Sequence, residues 1–383
     1  MTTPFRFDPL ELPPECEALR LEVRAFLAEE LAAERWSPNS DFGSHRGADF
    51  SARLGARGWI GMTWPKKYGG GERSFLERYT VTEELLAAGA PVGSHWIADR
   101  QSGPLLLRYG SEAQREEFLP GITRGETFFS IGMSEPDSGS DLASIRTRAT
   151  PVCGGYEVTG AKVWTSYAHE SHYAITLVRT APLDAKNRHA GLSQLILDLK
   201  APGVSIRPII NQAGEHDFNE MVLDRVFIPS ERLVGQEGDG WKQVTSELAF
   251  ERSGPERFLS AHQVLRALVA AGGDNPDPLL LDALGRMTAQ LWTLRQMSLS
   301  VAGMLQAGEL PNLEAALVKD LGNAFERSVP ERARTLVPRR RRAEIDGFDG
   351  ALRETVLYAP SWTLRGGTRE ILRGIIARGL GLR

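Results

Sequence analysis

Glu135-Pro136-Asp137-Ser138-Gly139-Ser140-Asp141 joins the apolar run Phe128-Phe129-Ser130-Ile131-Gly132-Met133 to a turn of small residues. The run reads as a short strand, Pro136 fixes φ just beyond it, and Ser138, Gly139 and Ser140 offer hydroxyls and N–H groups with little side chain in the way. Such a backbone suits a phosphate or an amide-edged ring, and it is equally the composition of an ordinary surface turn. Further along, Gly160-Ala161-Lys162-Val163-Trp164-Thr165-Ser166 sets an aromatic before two hydroxyls in a strand-prone run. A third feature is a carboxylate. Trp241, Val244 and Leu248 are spaced by three and four, and Glu251 follows at three, which places it on the apolar stripe of one helix. There it must be ion-paired or raised in pKa, and a raised pKa fits a base that takes a weakly acidic proton near neutrality. A structural ion pair is the other reading, and Glu247 and Glu370 are competing carboxylates.

The elements that would carry these groups follow from periodicity. The first third is helical: Leu19, Val23 and Phe26 keep helical spacing, as do Phe75, Tyr79, Val81 and Leu85 more loosely, and Ser111 is placed to cap a helix. From about Phe128 the period becomes two, with strand-like runs at 156–158, 173–178, 195–197 and 204–206. Beyond Gly240 the helical period returns through Leu284, Met287, Leu291, Leu294, Val301 and Met304, and Leu313, Leu317, Leu321 and Phe325 continue at fours. These stripes read as core packing of a helical bundle.

With 383 residues, 42% of them hydrophobic, the chain can bury a large core and divide into two or three domains. A net charge of −4 makes no electrostatic case for nucleic acid. Cys16 and Cys153 form no framework or metal pattern. The N-terminus lacks an apolar signal core or basic presequence and no run reaches membrane-span length, so the expectation is a soluble cytoplasmic protein. His169-Glu170-Ser171-His172 brings two imidazoles close but lacks a third convergent ligand, so no metal is expected. Dinucleotide, Walker, nucleophile-elbow and zincin motifs are absent.

The two hydroxyl-bearing stretches combine with Gly58-Trp59-Ile60-Gly61-Met62-Thr63-Trp64-Pro65-Lys66-Lys67-Tyr68-Gly69-Gly70 upstream, and with Phe227-Ile228-Pro229 and Leu233-Val234-Gly235 downstream. In that order, over most of the chain, they resemble the acyl-CoA dehydrogenase family. The resemblance implies an α+β fold: an N-terminal α-helical domain (1–126), a middle β-barrel-like domain with flavin and coenzyme A contacts (127–239), and a C-terminal four-helix bundle (240–383). It implies α,β-dehydrogenation of an acyl-CoA thioester, with FAD as hydride acceptor, an electron-transfer flavoprotein as the next acceptor, and a homo- or hetero-oligomer arranged as a dimer of dimers. That chemistry needs one carboxylate base, a sandwiched flavin ring and donors for the thioester oxygen. At matching positions the family's flavin contacts fall on Ile131, Met133, Ser134, Gly139, Ser140, Trp164, Thr165 and Ser166. The Ser166 hydroxyl is then expected near flavin N5 and Ser140 also near coenzyme A phosphates. Members without a C-terminal catalytic Glu place the base on the helix before an Arg, which matches Glu251-Arg252.

Two departures qualify the resemblance. Where common homotetrameric members carry Arg-x-x-Phe-Gly, this chain has Gly272-Gly273-Asp274-Asn275-Pro276-Asp277-Pro278. Where they carry Gln-x-x-Gly-Gly it has Arg339-Arg340-Arg341-Arg342 and Glu344 to Gly350. The Arg run reads as a solvated loop or as a phosphate grip. Gly366-Gly367-Thr368 stands where many members have their catalytic Glu, with Gly366 at that position. A partner subunit of a mixed oligomer, and a flavin oxidase or monooxygenase on the same scaffold, are the alternative readings.

Overall fold

Helices begin where the sequence can satisfy their first N–H groups. Ser74 accepts from Glu77 N while Glu77 reaches back to Ser74 N, and Ser111 and Gln114 repeat this reciprocal cap. The computed structural model describes residues 5–38 and 46–382, with the side chains of all but 247–251 among them. The helices are α1 (Pro14–Ala32), α2 (Ala48–Ala56), α3 (Phe75–Ala88), α4 (Gly93–Ile97), α5 (Gly103–Tyr109) and α6 (Glu112–Thr123). After the strands come α7 (Gly240–Arg252), α8 (His262–Gly272), α9 (Pro278–Gln306), α10 (Asn312–Leu336), α11 (Arg339–Arg342), α12 (Phe348–Trp362) and α13 (Arg369–Gly379). The chain divides into two compact units. One holds Met1–Arg46, Arg73–Val92 and Ala249–Arg383, and the other Gly47–Glu72 and Gly93–Leu248.

The second unit contains the sheet: β1 (Phe129–Gly132), β2 (Arg148–Val152), β3 (Gly155–Ser166), β4 (Tyr173–Arg179), β5 (Leu192–Asp198), β6 (Val204–Ile209) and β7 (Phe218–Pro229). The order is β1-β4-β2-β3-β7-β6, with β5 pairing the other edge of β4. β1 and β4 run parallel, whereas β3, β7 and β6 form an antiparallel ribbon. Val158, Met221, Leu223 and Val226 of the alternating strands β3 and β7 fill one core with Val178 and Leu197 of β4 and β5, which are buried along nearly their whole length. β2 has no apolar alternation: of its five residues only Ala149 is buried. It is held chiefly by β3, and a single pair joins it to β4, so Pro151 is tolerated.

β3 and β7 each carry twelve residues but do not pair evenly. Gly155 faces Pro229 and Ser166 faces Phe218, while Gly160 faces Leu223 and Lys162 faces Met221. One extra residue therefore sits in β7 between Leu223 and Val226, and one in β3 between Lys162 and Thr165. Each bulge contains a non-glycine residue in the left-handed region, Arg225 at φ 50° and Trp164 at φ 59°.

In the first unit, Leu76, Tyr79, Leu299 and Ala302 enclose Cys16, and Val301, Leu305, Ala315 and Val318 pack a second cluster. α1, α3 and α9 are also joined by charges: Arg20 reaches Glu83 and Glu84, Arg24 reaches Glu84 at 2.7 Å, and Arg295 reaches Glu83 at 2.7 Å. The leucine row expected to be the buried stripe of α10 is not its most buried face. Leu321 is 48% exposed, and the fully buried positions include Lys319, Asn323 and Glu326. Each of these polar residues has a polar partner, Lys319 at Gly367, Asn323 at Trp362 and Glu326 at Ser260 and Arg365.

Candidate functional site

The turn after β1 is closed by a reciprocal pair, Glu135 N–H to Ser138 O (2.7 Å) and Ser138 N–H to Glu135 O (3.0 Å). Ser138 donates to Asp141 O at 2.8 Å and accepts from the Ser144 hydroxyl at 2.9 Å, so its hydroxyl organises the turn. Gly139 and Ser140 lie exposed beyond it, and a Cβ added at Gly139 would meet nothing within 4 Å. Ile131, Met133 and Ser134 are half-buried on and after β1. Val163 N–H donates to Ser134 O at 2.9 Å, so the two stretches read from the sequence lie side by side.

Lys162 makes the same junction from inside. It is fully buried, and its Nζ donates to Glu135 Oε1 at 2.9 Å and to Met133 O at 3.1 Å. Glu135 also accepts from Arg146 N at 2.6 Å and Thr147 N at 2.9 Å. Burial pushes the Lys162 ammonium down to about 8 despite the carboxylate beside it. Burial alone would raise Glu135, but the Lys162 charge and these hydrogen bonds hold its carboxyl below the usual range.

The β3 bulge sorts the next three side chains. Trp164 turns outward and is 59% exposed, edge-on to Phe218 at 5.9 Å. Thr165 is fully buried, and its Oγ1 has no hydrogen-bond partner among the described residues. Its carbonyl accepts from Asn219 Nδ2 at 3.0 Å, and Asn219 Oδ1 is 2.7 Å from His216 Nε2. Ser166 is half-buried at the strand end. His169 stacks on His216 at 3.7 Å. Among the described residues no three His, Cys, Asp or Glu side chains converge as a metal site would need.

In the first unit, Arg252 is buried and its Nε donates to Gly366 O at 3.1 Å. Gly366 and Gly367 both have positive φ, 65° and 97°, a turn glycine adopts without strain. α10 holds the same segment along its length. Lys319 Nζ donates to Gly367 O at 2.9 Å, Asp320 pairs Arg369 at 2.7 Å, and the Asn323 amide is placed to donate to Trp362 O at 3.1 Å. Glu326 accepts from Ser260 N at 2.9 Å and lies 3.5 Å from Arg365, whose Nη2 also donates to Glu256 O at 3.0 Å. Burial raises the Glu326 carboxyl, against the pull of Arg365.

Glu251 and Glu247 belong to α7, and their side chains lie outside the described residues. Trp241 and Val244 of the same helix pack on Ile145, Leu177 and Leu192, as the stripe requires. Glu370 is exposed in the first turn of α13, where a backbone N–H and Thr368 hold its carboxyl below the ordinary range. An exposed carboxylate of lowered pKa is a weak base for carbon acids. In the Arg run, Arg341 pairs Glu344 at 2.9 Å and Arg342 pairs Asp349 at 2.8 Å. Arg339 and Arg340 are exposed. Lys162 and Lys319 are not among the site residues that the sequence suggests, and nothing around Lys319 marks it as buried. The signal for Lys162 was its place inside the strand-prone run itself.

Comparison with known proteins places this geometry in a family. Residues 13–126 match the acyl-CoA dehydrogenase N-terminal domain and residues 130–226 its middle domain. Acyl-CoA dehydrogenase FadE29 of Mycobacterium tuberculosis is 36% identical, covering 82% of each chain. Acyl-CoA dehydrogenase IpdE1 of the same organism is 32% identical over 96% of this chain and 98% of its own. Among solved structures, the Tcur3481-Tcur3483 steroid ACAD superposes with a TM-score of 0.87 at 30% identity, covering 97% of this chain and 99% of its own. The ChsE4-ChsE5 complex from Mycobacterium tuberculosis gives 0.84 at 30% identity, covering 98% and 100%.

Proposed function

The chain belongs to the acyl-CoA dehydrogenase family and is an oxidoreductase acting on acyl-CoA, and from that premise we propose how its own residues share the work. FAD, when bound, supplies the hydride-accepting ring. Ile131, Met133 and Ser134 offer backbone and side-chain contacts along one edge of such a ring, and Trp164 offers an exposed aromatic face. Ser166 places a hydroxyl at the strand end, and Gly139 and Ser140 present the open turn to phosphates. The observation that carries the reading is the β3 bulge, which turns Trp164 outward beside the buried Thr165 hydroxyl, itself without a partner among the described residues. Glu251 takes the α-proton. Arg252, anchored on Gly366 O, is a positioning residue for the helix end that bears it. Chain supplied with FAD should show a flavin absorption band that bleaches when acyl-CoA is added without oxygen, and a band that persists under those conditions would overturn the reading.

Ser166→Ala tests the flavin edge. A strand tolerates the smaller residue, so the fold should persist while hydride transfer slows by the equivalent of about 1–3 kcal/mol, the cost of leaving one buried hydrogen-bonding partner unsatisfied. Stopped-flow reduction at the parental rate, with an unshifted flavin band, would remove Ser166 from the site.

The electron acceptor we propose is an electron-transfer flavoprotein, and the acyl group we propose is bulky or branched, in keeping with the neighbour named for a steroid. We also propose that the flavin nucleotide is shared with a second subunit, because the chain lacks both nucleotide-side motifs and one neighbour is a complex of two named components. Fewer donors and cations then offset the desolvated diphosphate. Expressed alone, the chain should lose FAD on gel filtration. A homotetramer that keeps one FAD per chain would refute the sharing and would direct attention to Arg339 and Arg340.

A further inference from the structure

We infer that Lys162 and Glu135 are positioning residues for the flavin, a buried ion pair that holds the 133–135 and 163–166 stretches in one arrangement before FAD arrives. This rests on the flavin reading above. β1 and β3 are not neighbours in the sheet, so no strand ladder sets the distance between the two stretches. The hydrogen bonds that join them are Val163 N–H to Ser134 O and the two donated by Lys162 Nζ, to Met133 O and Glu135 Oε1. From the far side, Glu135 takes the Arg146 and Thr147 N–H groups, which fixes the carboxylate against the chain that leads into β2. The pair lies two residues before the bulge at Trp164.

A buried ion pair is a poor source of net stability, because desolvating both charges offsets most of their attraction. What such a pair provides instead is geometry: one ammonium directed at two acceptors permits one placement of the loop, whereas an apolar contact would permit many. The charged and titratable groups around it are few. Arg179 acts on Glu135 from β4 while donating to Ile145 O and Ala143 O, and the Arg146 side chain turns away toward Asp137.

The test uses the intact chain with and without FAD, in the parent, in Glu135→Gln and in the doubly neutral K162M/E135Q. Gln at 135 keeps the shape and one of the two acceptor oxygens, so the single variant is the milder change and guards against simple misfolding. In apo protein with parental circular dichroism, the Val163 amide should exchange about tenfold faster in K162M/E135Q. FAD should bind about tenfold more weakly to the same variant, with a shifted flavin absorption band, and Glu135→Gln should fall between it and the parent. Parental Val163 exchange and parental FAD affinity in folded K162M/E135Q would overturn the inference. So would loss of the sheet in both variants, since the pair would then serve the fold alone. If the parent takes up no FAD, the flavin reading fails separately, and the Val163 exchange still reports whether the pair holds the two stretches together.

Discussion

Glu251→Gln is expected to leave the chain folded, able to take up FAD and able to bind acyl-CoA, while flavin reduction by substrate falls by several orders of magnitude. α7 packs through Trp241 and Val244 on Ile145, Leu177 and Leu192, and helical spacing carries that stripe to position 251. The next residue, Arg252, is hydrogen-bonded to the carbonyl of Gly366. The position where the family resemblance expects a catalytic Glu is thus occupied by a glycine, and the backbone of that glycine is tied to the neighbour of Glu251. Glu370, the competitor, is exposed and held to a low pKa. Amide for carboxylate preserves shape and removes basicity, so loss should appear in the reductive rate constant and not in acyl-CoA affinity. Anaerobic stopped-flow absorbance measures both. Reduction near the parental rate would place the base elsewhere, with Glu370 next to be changed.

Arg365→Met is expected to destabilise the first unit, and to do so more at neutral pH than in mild acid. Glu326 is fully buried, and burial raises its carboxyl above the ordinary 4.5 even with Arg365 beside it. A carboxyl whose folded pKa is raised binds more protons in the folded than in the unfolded chain between those two values. Its contribution is therefore present below 4.5 and is lost as pH rises through the raised value. Removing Arg365 raises the folded value further, widens that window upward, and leaves the buried charge with only Ser260 and the more weakly acting Arg257 to offset it at neutrality, at a cost of up to about 3–5 kcal/mol. Thermal unfolding followed at about pH 5 and about pH 7.5 distinguishes the outcomes. An equal drop in the midpoint at both pH values would mean that Arg365 acts through packing and not through Glu326.

How far these sites were legible in the sequence depends on where their partners lie. β4 and β5 announced themselves as apolar runs buried on nearly every residue, β3 by the alternation of Tyr156 and Val158 with exposed Glu157 and Thr159, and the helix at Glu112 by Ser111 in the capping position. β2 did not, since a strand with one buried side chain and an internal proline carries no period. On α10 the leucines at fours were the visible pattern, yet the buried face includes Lys319, Asn323 and Glu326, whose partners at 362–367 and at Ser260 are distant in sequence. Lys162 shows the same limit. Its partner is twenty-seven residues away, and a lysine reads as solvated until a carboxylate is known to face it.

The two bulges of the β3–β7 ribbon act as dislocations of opposite sign. Between them Gly160, Ala161 and Lys162 are paired one place out of step, and beyond them both strands return to the register with which they began. The slip is thus confined, and the end of the ribbon at Gly155 and Pro229 does not sense what happens at Trp164. Deleting one residue at either bulge alone would throw the rest of the ribbon out of phase by one place and turn every later side chain to the opposite face. Deleting one at each would heal the ribbon. The outward tryptophan is thus a property of the β3 bulge, and the opposite defect at Arg225 cancels the register shift that this bulge introduces.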